Sequence, residues 1–233
     1  MSILSIISEL IFPTPRICPL CKSKQDKLMV CAQCKEKLNK FRQAAGQCKR
    51  CGSFGSRAKV CNNCRSWPEF IYSNSAAVPY KEEYREILHL LKFRKQGWLI
   101  PVLAELMIDV FTTEPIDLLI PVPLHKNRFR ERGFNQSALI AKELALRTGI
   151  HYNDQLLIRQ LDTPHQTGLD LYQRRTNLLD AFRIDNRFDI KGKSILLTDD
   201  TLTTGTTLLE CAKTLHQGGA KFIYGITFAA GIR

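Results

Sequence analysis

Eight of the nine cysteines stand in pairs that are separated by two residues, and the second half of this array repeats the first at an offset of 30 residues. Each half reads C-x2-C-x9-C-x2-C. Two intervening residues allow a tight turn that directs both sulfurs at one ion, and two such turns complete the tetrahedral thiolate set that structural zinc prefers. The pattern therefore predicts two structural Zn2+ sites, whose ligands are Cys18, Cys21, Cys31, Cys34, Cys48, Cys51, Cys61 and Cys64.

The pairing of the four turns has more than one solution. Each half of the array holds a complete ligand set, which favours two independent ribbons. A cross-braced arrangement, in which the first turn shares its ion with the third, stays open on spacing alone. Disulfides are disfavoured because the sequence shows no secretion signal that would place these thiols in an oxidising compartment.

The formal net charge of +12 is concentrated near the start of the chain. Residues 1–65 hold 13 basic and 3 acidic side chains, whereas residues 66–233 hold 21 and 19. Two four-thiolate zinc sites of net charge about −2 each would lower the first surplus, 13 − 3 = +10, to about +6. What remains is typical of a module that contacts a nucleic-acid backbone, and the alternative is a role in solubility or local charge balance. Phe41, Phe54 and Trp67 are the few aromatic residues available to stack bases.

The length and the hydrophobic pattern predict one full-sized α/β domain after a small metal module. A chain of 233 residues with 44% hydrophobic residues is globular in composition. Residues 1–12 are too short and too interrupted for a membrane span or a signal peptide, so we predict a short amphipathic helix there and a cytoplasmic protein. We expect a division into residues 1–67, the helix and double zinc ribbon, and residues 68–233.

Apolar strands alternate with amphipathic helices throughout the second region. Strands are predicted at residues 70–79, 117–122, 156–159, 193–198 and 221–228, and helices at residues 81–93, 98–111, 134–147, 170–179 and 206–216. This alternation predicts a mostly parallel sheet that is covered on both faces, with ligands beyond the carboxyl ends of its strands.

The most informative of these strand ends reads ILLTDDTLTTGTTL, over residues 195–208. Two acids follow the predicted strand, and a turn rich in Thr and Gly then enters a helix. Gly205 permits a tight turn, and backbone amides at a helix N-terminus form a cradle for phosphate. Carboxylates beside that cradle suit the hydroxyl groups of a sugar. The combination predicts a site for a ribose 5-phosphate group.

A basic run follows another strand end, at residues 117–122. It contains Lys126, Arg128, Arg130 and Arg132, directly after His125 and before the predicted helix at residues 134–147. Cations beside a helix N-terminus hold pyrophosphate through charge-assisted hydrogen bonds. The alternative for this run is an exposed basic loop.

The acid pair and the Thr-Gly turn resemble the phosphoribosyl pyrophosphate loop of type I phosphoribosyltransferases. The motifs PVPLH, RGFNQ, QRRTNLLDAF and this loop, in this order behind a double CxxC module, resemble the competence protein F family over nearly the whole chain. The resemblance implies a sheet of the type I phosphoribosyltransferase kind. It also implies a role in DNA uptake during natural transformation, at the inner face of the cytoplasmic membrane, with single-stranded DNA and a competence helicase or other DNA-uptake proteins as partners.

The resemblance also assigns roles to residues. Asp199 and Asp200 would fix the ribose during catalysis, Mg2+ would accompany phosphoribosyl pyrophosphate, and the basic run with His125 would hold the pyrophosphate. Thr203 stands where purine-salvage members carry an acid, which counts against a purine acceptor. The sugar-phosphate set would comprise Asp199, Asp200, Thr201, Thr203, Thr204, Gly205, Thr206 and Thr207.

Three functions stay open at this point. The first is a DNA-uptake factor that binds single-stranded DNA and carries the sugar-phosphate site. The second is an active phosphoribosyltransferase with an unidentified acceptor. The third is a zinc-dependent adaptor for protein partners, in which the second region is inert. The residues do not decide whether catalysis takes place.

Overall fold

The computed structural model of the protein describes residues 15–94, 96–161 and 181–233. The helices predicted at residues 1–12 and 170–179 lie outside the described residues. The same holds for Gln166, Arg174, Arg175 and Asn177, which the sequence places in a segment that could cover a substrate or contact a DNA strand.

A parallel sheet of four strands forms the centre of the molecule. The six strands of the described chain are β1 (Ile71–Pro79), β2 (Leu118–Pro121), β3 (Leu157–Arg159), β4 (Phe182–Ile184), β5 (Ser194–Leu202) and β6 (Phe222–Ala230). The main sheet has the order β1-β6-β5-β2, and all of its neighbouring pairs are parallel. β3 and β4 form a separate antiparallel pair. The predicted fold class, a mostly parallel α/β sheet behind a four-cysteine double ribbon, is confirmed.

The described ranges also contain six α-helices: α1 (Ala32–Ala45), α2 (Glu82–Arg94), α3 (Ile100–Ile108), α4 (Lys126–Arg132), α5 (Gln136–Thr148) and α6 (Thr206–Gln217). A single 3-10 turn, Gly97–Leu99, precedes α3. Most of the bounds predicted from the sequence are met within a few residues. Two helices were not predicted: α1 connects the two cysteine sets, and α4 is built from the basic run that had been interpreted as a loop.

Each face of the sheet is buried by a different set of elements. On one face, Leu88 of α2, Leu103 of α3 and Leu144 of α5 pack in one apolar cluster with Cys31 and Cys34. On the other face, Leu208 and Leu215 of α6 pack in a second cluster with Cys48 and Cys64. The two cysteine sets therefore cover opposite faces of the same sheet. Burial on both faces explains why β6 is apolar almost throughout, because both sides of its pleat face packed side chains.

β5 is longer than the sequence predicts, which changes the position of the acid pair. The prediction ended this strand at Thr198, but its pairing with β6 continues through Asp199 and Thr201 to Leu202. The prediction that both acids follow the strand is therefore wrong, because both lie within the last four residues of β5. Because neighbouring strand residues point in opposite directions, the two carboxylates meet different helices.

Candidate functional site

The eight paired cysteines form two clusters, and each cluster lies within one half of the array. Ribbon 1 consists of Cys18, Cys21, Cys31 and Cys34, and ribbon 2 consists of Cys48, Cys51, Cys61 and Cys64; the sulfurs of each lie within 4.8 Å of one another. The prediction of two independent ribbons is confirmed, and cross-bracing is excluded.

The spacing of the sulfurs fits zinc. The Sγ atoms of Cys21 and Cys31 are 3.6 Å apart, as are those of Cys51 and Cys61, and the Cys48–Cys64 separation is 3.5 Å. Four thiolates about 2.3 Å from a tetrahedral ion lie about 3.8 Å from one another. None of the cysteines is in a disulfide. The donor set and the geometry together support a structural Zn2+ ion in each ribbon.

The two ribbons repeat the same hydrogen bonds at the 30-residue offset. The backbone amide of Cys31 donates to the Cys18 sulfur (3.5 Å), and that of Cys61 donates to the Cys48 sulfur (3.3 Å). Amide donors of this kind stabilise the negative charge of metal-bound thiolates. The repeat seen in the sequence is thus a repeat of the metal-binding turn.

The acid pair at the end of β5 has two distinct environments. Asp199 Oδ1 accepts a hydrogen bond from Ser137 Oγ (2.8 Å), in the first turn of α5. Asp200 Oδ2 forms an ion pair with Lys92 Nζ (2.7 Å), near the end of α2. Helices from two parts of the chain therefore hold the two carboxylates at one edge of the sheet.

These partners also set the ionisation of the pair. Burial raises the pKa of Asp199 to about 7, the neighbouring Asp200 charge adds to this rise, and the Ser137 hydrogen bond opposes it. Burial works against the charge of Lys92, but the Asp200 carboxylate outweighs it and raises the pKa of Lys92. The site therefore holds one acid that is paired with a lysine beside one acid that gains or loses its proton near neutral pH.

The residues Thr203, Thr204, Gly205, Thr206 and Thr207, here named the phosphate turn, connect β5 to α6. Gly205 has a φ of 83°, in the left-handed region, and directly precedes the helix. The hydroxyls of Thr204 and Thr206 are 2.9 Å apart. Because α6 begins at Thr206, the amides of its first turn have no acceptor within the helix. The turn thus combines hydroxyl and amide donors at the positive end of a 12-residue helix.

Ribbon 2 supports the phosphate turn from behind. A Cβ atom at Gly205 would lie 2.6 Å from Cζ2 of Trp67, so this indole fits only against glycine. Arg233 donates to the carbonyl of Thr203 (2.7 Å). In the amide orientation that satisfies both partners, Asn63 accepts from Arg233 Nε (2.8 Å), and Asn63 lies between two zinc ligands. The metal-binding turn and the phosphate turn therefore share one bridging guanidinium.

The basic run is a helix, and its cations divide between two sides. Arg132 donates a hydrogen bond to Gln136 (3.0 Å), and its positive charge acts to lower the pKa of Lys92. Arg132 therefore lies beside Lys92 and the acid pair. Arg130 lines a separate cavity, together with His125 and Lys126. His125 is buried, and its Nδ1 accepts from the Asn127 amide (3.3 Å), so it caps the start of α4. The alternative of a loop is therefore wrong, since the run is a helix, although Lys126 and Arg130 are exposed; pyrophosphate binding by this run stays a prediction.

The residues of the motif RGFNQ hold the start of α5 in place. Asn135 donates to the carbonyl of Val122 (3.0 Å) at the end of β2, and its Oδ1 caps α5 by accepting from Ser137 (3.1 Å). Ser137 in turn donates to Asp199. The motif therefore fixes the start of α5 against both strand ends that the sequence singled out.

The sequence did not identify Ser137, Arg233 or Trp67 as parts of this site, and it gave Lys92 little weight. The contacts of these four residues join parts of the chain that are far apart in sequence. No local motif could therefore predict them. Lys92 begins the basic stretch Lys92-Phe93-Arg94-Lys95 at the end of α2, and that charge is the one available signal.

The aromatic residues of the zinc module and several of its cations are engaged in contacts within the protein. Phe54 and Trp67 are buried, at 0% and 6% exposure, so neither presents a ring to a DNA base. Lys35 pairs with Glu105, and Arg42 donates to the carbonyl of Ala77. Arg50 donates to the carbonyls of Trp67 and Pro68. Part of the charge that the sequence offers to DNA is therefore used in contacts within the protein.

The comparisons with known proteins support the double ribbon and show relatives over part of the chain. Residues 7–66 match the family model of the double zinc ribbon domain. The chain is 33% identical over 141 residues to DNA utilization protein YhgH of Salmonella typhi, which covers 58% of this chain and 61% of the relative. It is 32% identical over 152 residues to Competence protein F of Haemophilus influenzae, with 62% and 66% covered. Each match spans less than two thirds of the relative's length.

Among solved structures, the chain is similar to glutamine phosphoribosylpyrophosphate amidotransferase of B. subtilis, determined with ADP and GMP. The TM-score is 0.36 at 22% identity, over 55% of this chain and 25% of that one. In the part of the chain that the structure describes, no helix is both long and apolar enough to cross a membrane. The chain is thus similar to Competence protein F and DNA utilization protein YhgH over about 60% of its length, and it carries a double zinc ribbon on a mostly parallel α/β sheet.

Proposed function

We propose that the protein is a DNA-uptake factor of natural transformation that binds single-stranded DNA and also binds phosphoribosyl pyrophosphate with Mg2+. The printed names of its relatives, competence protein F and DNA utilization protein, support the DNA-uptake role. The arrangement of the acid pair and the phosphate turn at one end of β5 supports the sugar-phosphate site. This arrangement is the observation that carries the second half of the proposal.

The sugar-phosphate site would use donors and acceptors in the order in which the chain presents them. The carboxylates of Asp199 and Asp200 would accept hydrogen bonds from the ribose hydroxyls. The 5-phosphate would lie in the phosphate turn, against the first amides of α6. Thr201 adds support, because its buried hydroxyl has no hydrogen-bond partner among the described residues. A ligand hydroxyl or phosphate oxygen would satisfy that group.

The pyrophosphate group of the ligand would lie beside the cations that flank the acid pair. Two of these cations are Lys92 and Arg132. Lys92 forms an ion pair with Asp200, and the charge of Arg132 acts on Lys92. Arg128 would contribute from the same side of α4 as Arg132, four residues earlier. His125 and Arg130 were included in this set on sequence grounds, and their participation stays a prediction.

If transfer to an acceptor takes place, the chain would act by positioning and charge. Asp199 and Asp200 would hold the ribose as the bond from C1 to the pyrophosphate breaks, and Lys92 and Arg132 would stabilise the departing negative charge. Mg2+ would enter with the ligand and neutralise its phosphates. Thr203 itself offers no carboxylate to serve as a base for a purine acceptor. An active transferase is therefore the second candidate, and a zinc-dependent adaptor is the third.

The sugar-phosphate half is tested by calorimetric titration of the zinc-loaded protein with phosphoribosyl pyrophosphate and Mg2+. Asp200→Asn is the matched variant, because it keeps the side-chain shape and removes one charge. We expect saturable binding that falls by about tenfold or more in the variant, since a charged hydrogen bond contributes about 1.5–3 kcal/mol. Equal affinity in both proteins would remove the assignment of the acid pair.

The pH dependence of this binding gives a second readout. Because the pKa of Asp199 is raised to about 7, its carboxylate becomes an ionised acceptor only as the pH rises through that value. Affinity should therefore increase between about pH 6 and pH 8. Asp199→Asn should bind more weakly and lose most of that increase, whereas ionisation of the ligand's phosphates would persist in both proteins. An unchanged pH profile in the variant would contradict the role of Asp199.

The DNA half is tested separately, by fluorescence anisotropy with a labelled single strand. Binding should weaken steeply with salt, because cations of the protein replace the counterions of the strand. We expect the protein to act in the cytoplasm at the inner face of the membrane, with a competence helicase or other uptake proteins as partners. Loss of transformation in a deletion strain, restored by the wild-type chain, would support that role, and full transformation without it would contradict it.

A further inference from the structure

A large basic cavity lies on the side of α4 away from the acid pair. It has a volume of about 820 Å³ and opens between α4, α5 and the β3–β4 pair. Neither acid of the pair and no residue of the phosphate turn lines it. Ligand sites in proteins have volumes of about 300–1,000 Å³, so the cavity can hold one or two nucleotide units. It is therefore separate from the sugar-phosphate site.

The separation follows from the helical geometry of the basic run. Residues four apart lie on the same side of a helix, whereas residues two apart lie on opposite sides. Lys126 and Arg130 consequently share the side that lines the cavity. Arg132 lies on the other side, beside Lys92. One short helix thus presents positive charge to two different sites.

The charge of the cavity is strongly one-sided. Among the residues that the structure describes, the lining includes five cations and one carboxylate, Asp154; the cations are Lys126, Arg130, Lys142, Arg159 and Arg183. Within the described ranges, the structure gives no ion pair to Lys126, Arg130, Lys142 or Arg183 at 4.0 Å or less. A concave surface of one charge concentrates the field and attracts a polyanion.

The cavity also offers flat apolar surface. Phe129, Phe134 and Tyr152 lie in its wall, and the Phe129 side chain is 49% exposed, which makes it one of the few exposed large apolar residues of the described chain. Exposed aromatic rings between cations are the surface on which the bases of single-stranded nucleic acid stack. By contrast, the aromatic residues of the zinc module are engaged in packing.

We propose that this cavity is the place where the protein binds single-stranded DNA, with Lys126, Arg130, Lys142 and Arg183 on the phosphates and Phe129 beneath a base. The proposal rests on the DNA-binding half of the proposed function and assigns it to the α/β sheet domain instead of the zinc ribbons. The proposed contacts are to phosphates and to the flat face of a base, and none of them is to a base edge. The binding should therefore tolerate different sequences.

The test uses the full-length, zinc-loaded chain and a labelled oligothymidylate of about 10 nucleotides, within the site sizes of single-strand binding proteins. We expect Lys126→Ala/Arg130→Ala to weaken binding by about tenfold or more, and to lower the slope of log affinity against log salt by about 1.4 for two lost phosphate contacts. Phe129→Ala should weaken binding by about fivefold or more without changing that slope, because stacking carries no counterion term.

Lys191→Ala/Lys193→Ala provides the matched control. It removes the same two charges from exposed positions that precede β5, at the opposite end of the sheet. This variant should bind the oligonucleotide as the wild type does, and all variants should keep two zinc ions per chain and similar melting temperatures. If the control loses as much affinity as the cavity variant, only the net charge matters and the assignment is overturned.

The remaining outcomes separate this proposal from the proposed function. If the wild type binds the strand and the cavity variants bind equally well, the cavity assignment fails and the DNA-binding role survives. If the wild type binds no strand at all, the DNA-binding role fails and the cavity assignment fails with it. If thymidine monophosphate displaces the strand at equal concentration, the occupant is a free nucleotide and the assignment to a strand is overturned.

Discussion

Ribbon 1 and ribbon 2 have the same ligands at the same spacing but different surroundings. In ribbon 1, Cys21 is exposed, and the contacts to the helices include ion pairs between long side chains, Lys22 with Glu86 and Lys35 with Glu105. In ribbon 2, all four cysteines are buried, and the contacts include backbone hydrogen bonds: the Phe54 amide donates to the Gly231 carbonyl (3.0 Å). A repeated metal unit can thus acquire two roles through its neighbours while its ligands stay the same.

The difference is visible at one equivalent position in the two metal-binding turns. Lys22 and Gly52 both donate a backbone hydrogen bond four residues back, to Cys18 and Cys48, and both have positive φ values, 62° and 73°. A side chain is tolerated at Lys22. At Gly52, a Cβ atom would lie 2.8 Å from the carbonyl oxygen of Asn74 in β1. The glycine therefore allows ribbon 2 to pack closely against the sheet.

The largest difference between the two ribbons is expected when one zinc ligand is removed from each. Cys31→Ser and Cys61→Ser should each reduce zinc from two ions per chain to one, because zinc binding supplies most of the folding free energy of such small sites, about 10 kcal/mol or more. Only Cys61→Ser should also abolish sugar-phosphate binding, since ribbon 2 supports the phosphate turn. Metal analysis and calorimetry on both variants measure this, and equal loss of binding would contradict the assigned division of roles.

A milder test replaces one buried side chain beside each ribbon. Trp67→Ala should lower the free energy of unfolding by about 3–5 kcal/mol, and Leu38→Ala by about 2–5 kcal/mol. Only the first change leaves a cavity against Gly205, so only it should weaken sugar-phosphate binding at matched stability. Denaturant unfolding and titration of both variants decide the matter, and an unaffected affinity in Trp67→Ala would show that the indole is merely packing.

The two turn positions allow a smaller and sharper comparison. Gly52→Ala should destabilise the protein by about 2 kcal/mol or more, because the methyl group meets β1 and the backbone keeps a left-handed φ. Lys22→Gly should change stability by less than about 1 kcal/mol, since it relieves the same backbone conformation at an exposed position. Midpoints of urea unfolding measure both, and similar values would mean that the two ribbons dock equally closely.

The smallest expected effect concerns the bridging guanidinium. Arg233→Ala should weaken sugar-phosphate binding by less than about tenfold, the equivalent of one or two net hydrogen bonds, and leave both zinc ions in place. Arg57→Ala is a suitable control, because Arg57 also donates to a backbone carbonyl in the zinc module, that of Ala44 (3.1 Å), away from the phosphate turn. Identical affinities of the two variants would remove Arg233 from the link between ribbon 2 and the turn.

The features that the sequence predicts correctly are local ones. The cysteine spacing defines each zinc site because both turns of a ribbon lie within 17 residues of chain, from Cys18 to Cys34 or from Cys48 to Cys64. The alternation of apolar strands and helices predicts the parallel sheet because both of its faces are buried. The acid pair and the Thr-Gly turn are adjacent in sequence, so their juxtaposition needs no long-range information.

The features that could not be predicted depend on distant partners. Thr198-Asp199-Asp200-Thr201 has no apolar pattern, yet it remains in β5 because β6 supplies the backbone hydrogen bonds. The basic run has no apolar period and so did not predict α4. The ion pair of Lys92 with Asp200 joins α2 to β5, and only the assembled fold brings them together.

The pairing of β1 with β6 has a consequence for how the chain is made. Asn74 of β1 and Thr227 of β6 are hydrogen-bonded although they are 153 positions apart. At about 5–20 residues per second on the ribosome, β1 waits about 8 to 30 seconds for the strand that pairs with it. During that interval ribbon 2 can fold around its metal but has no completed sheet to dock on. A zinc ion held early would keep this segment, rich in thiols, from oxidising or aggregating until the last strand emerges.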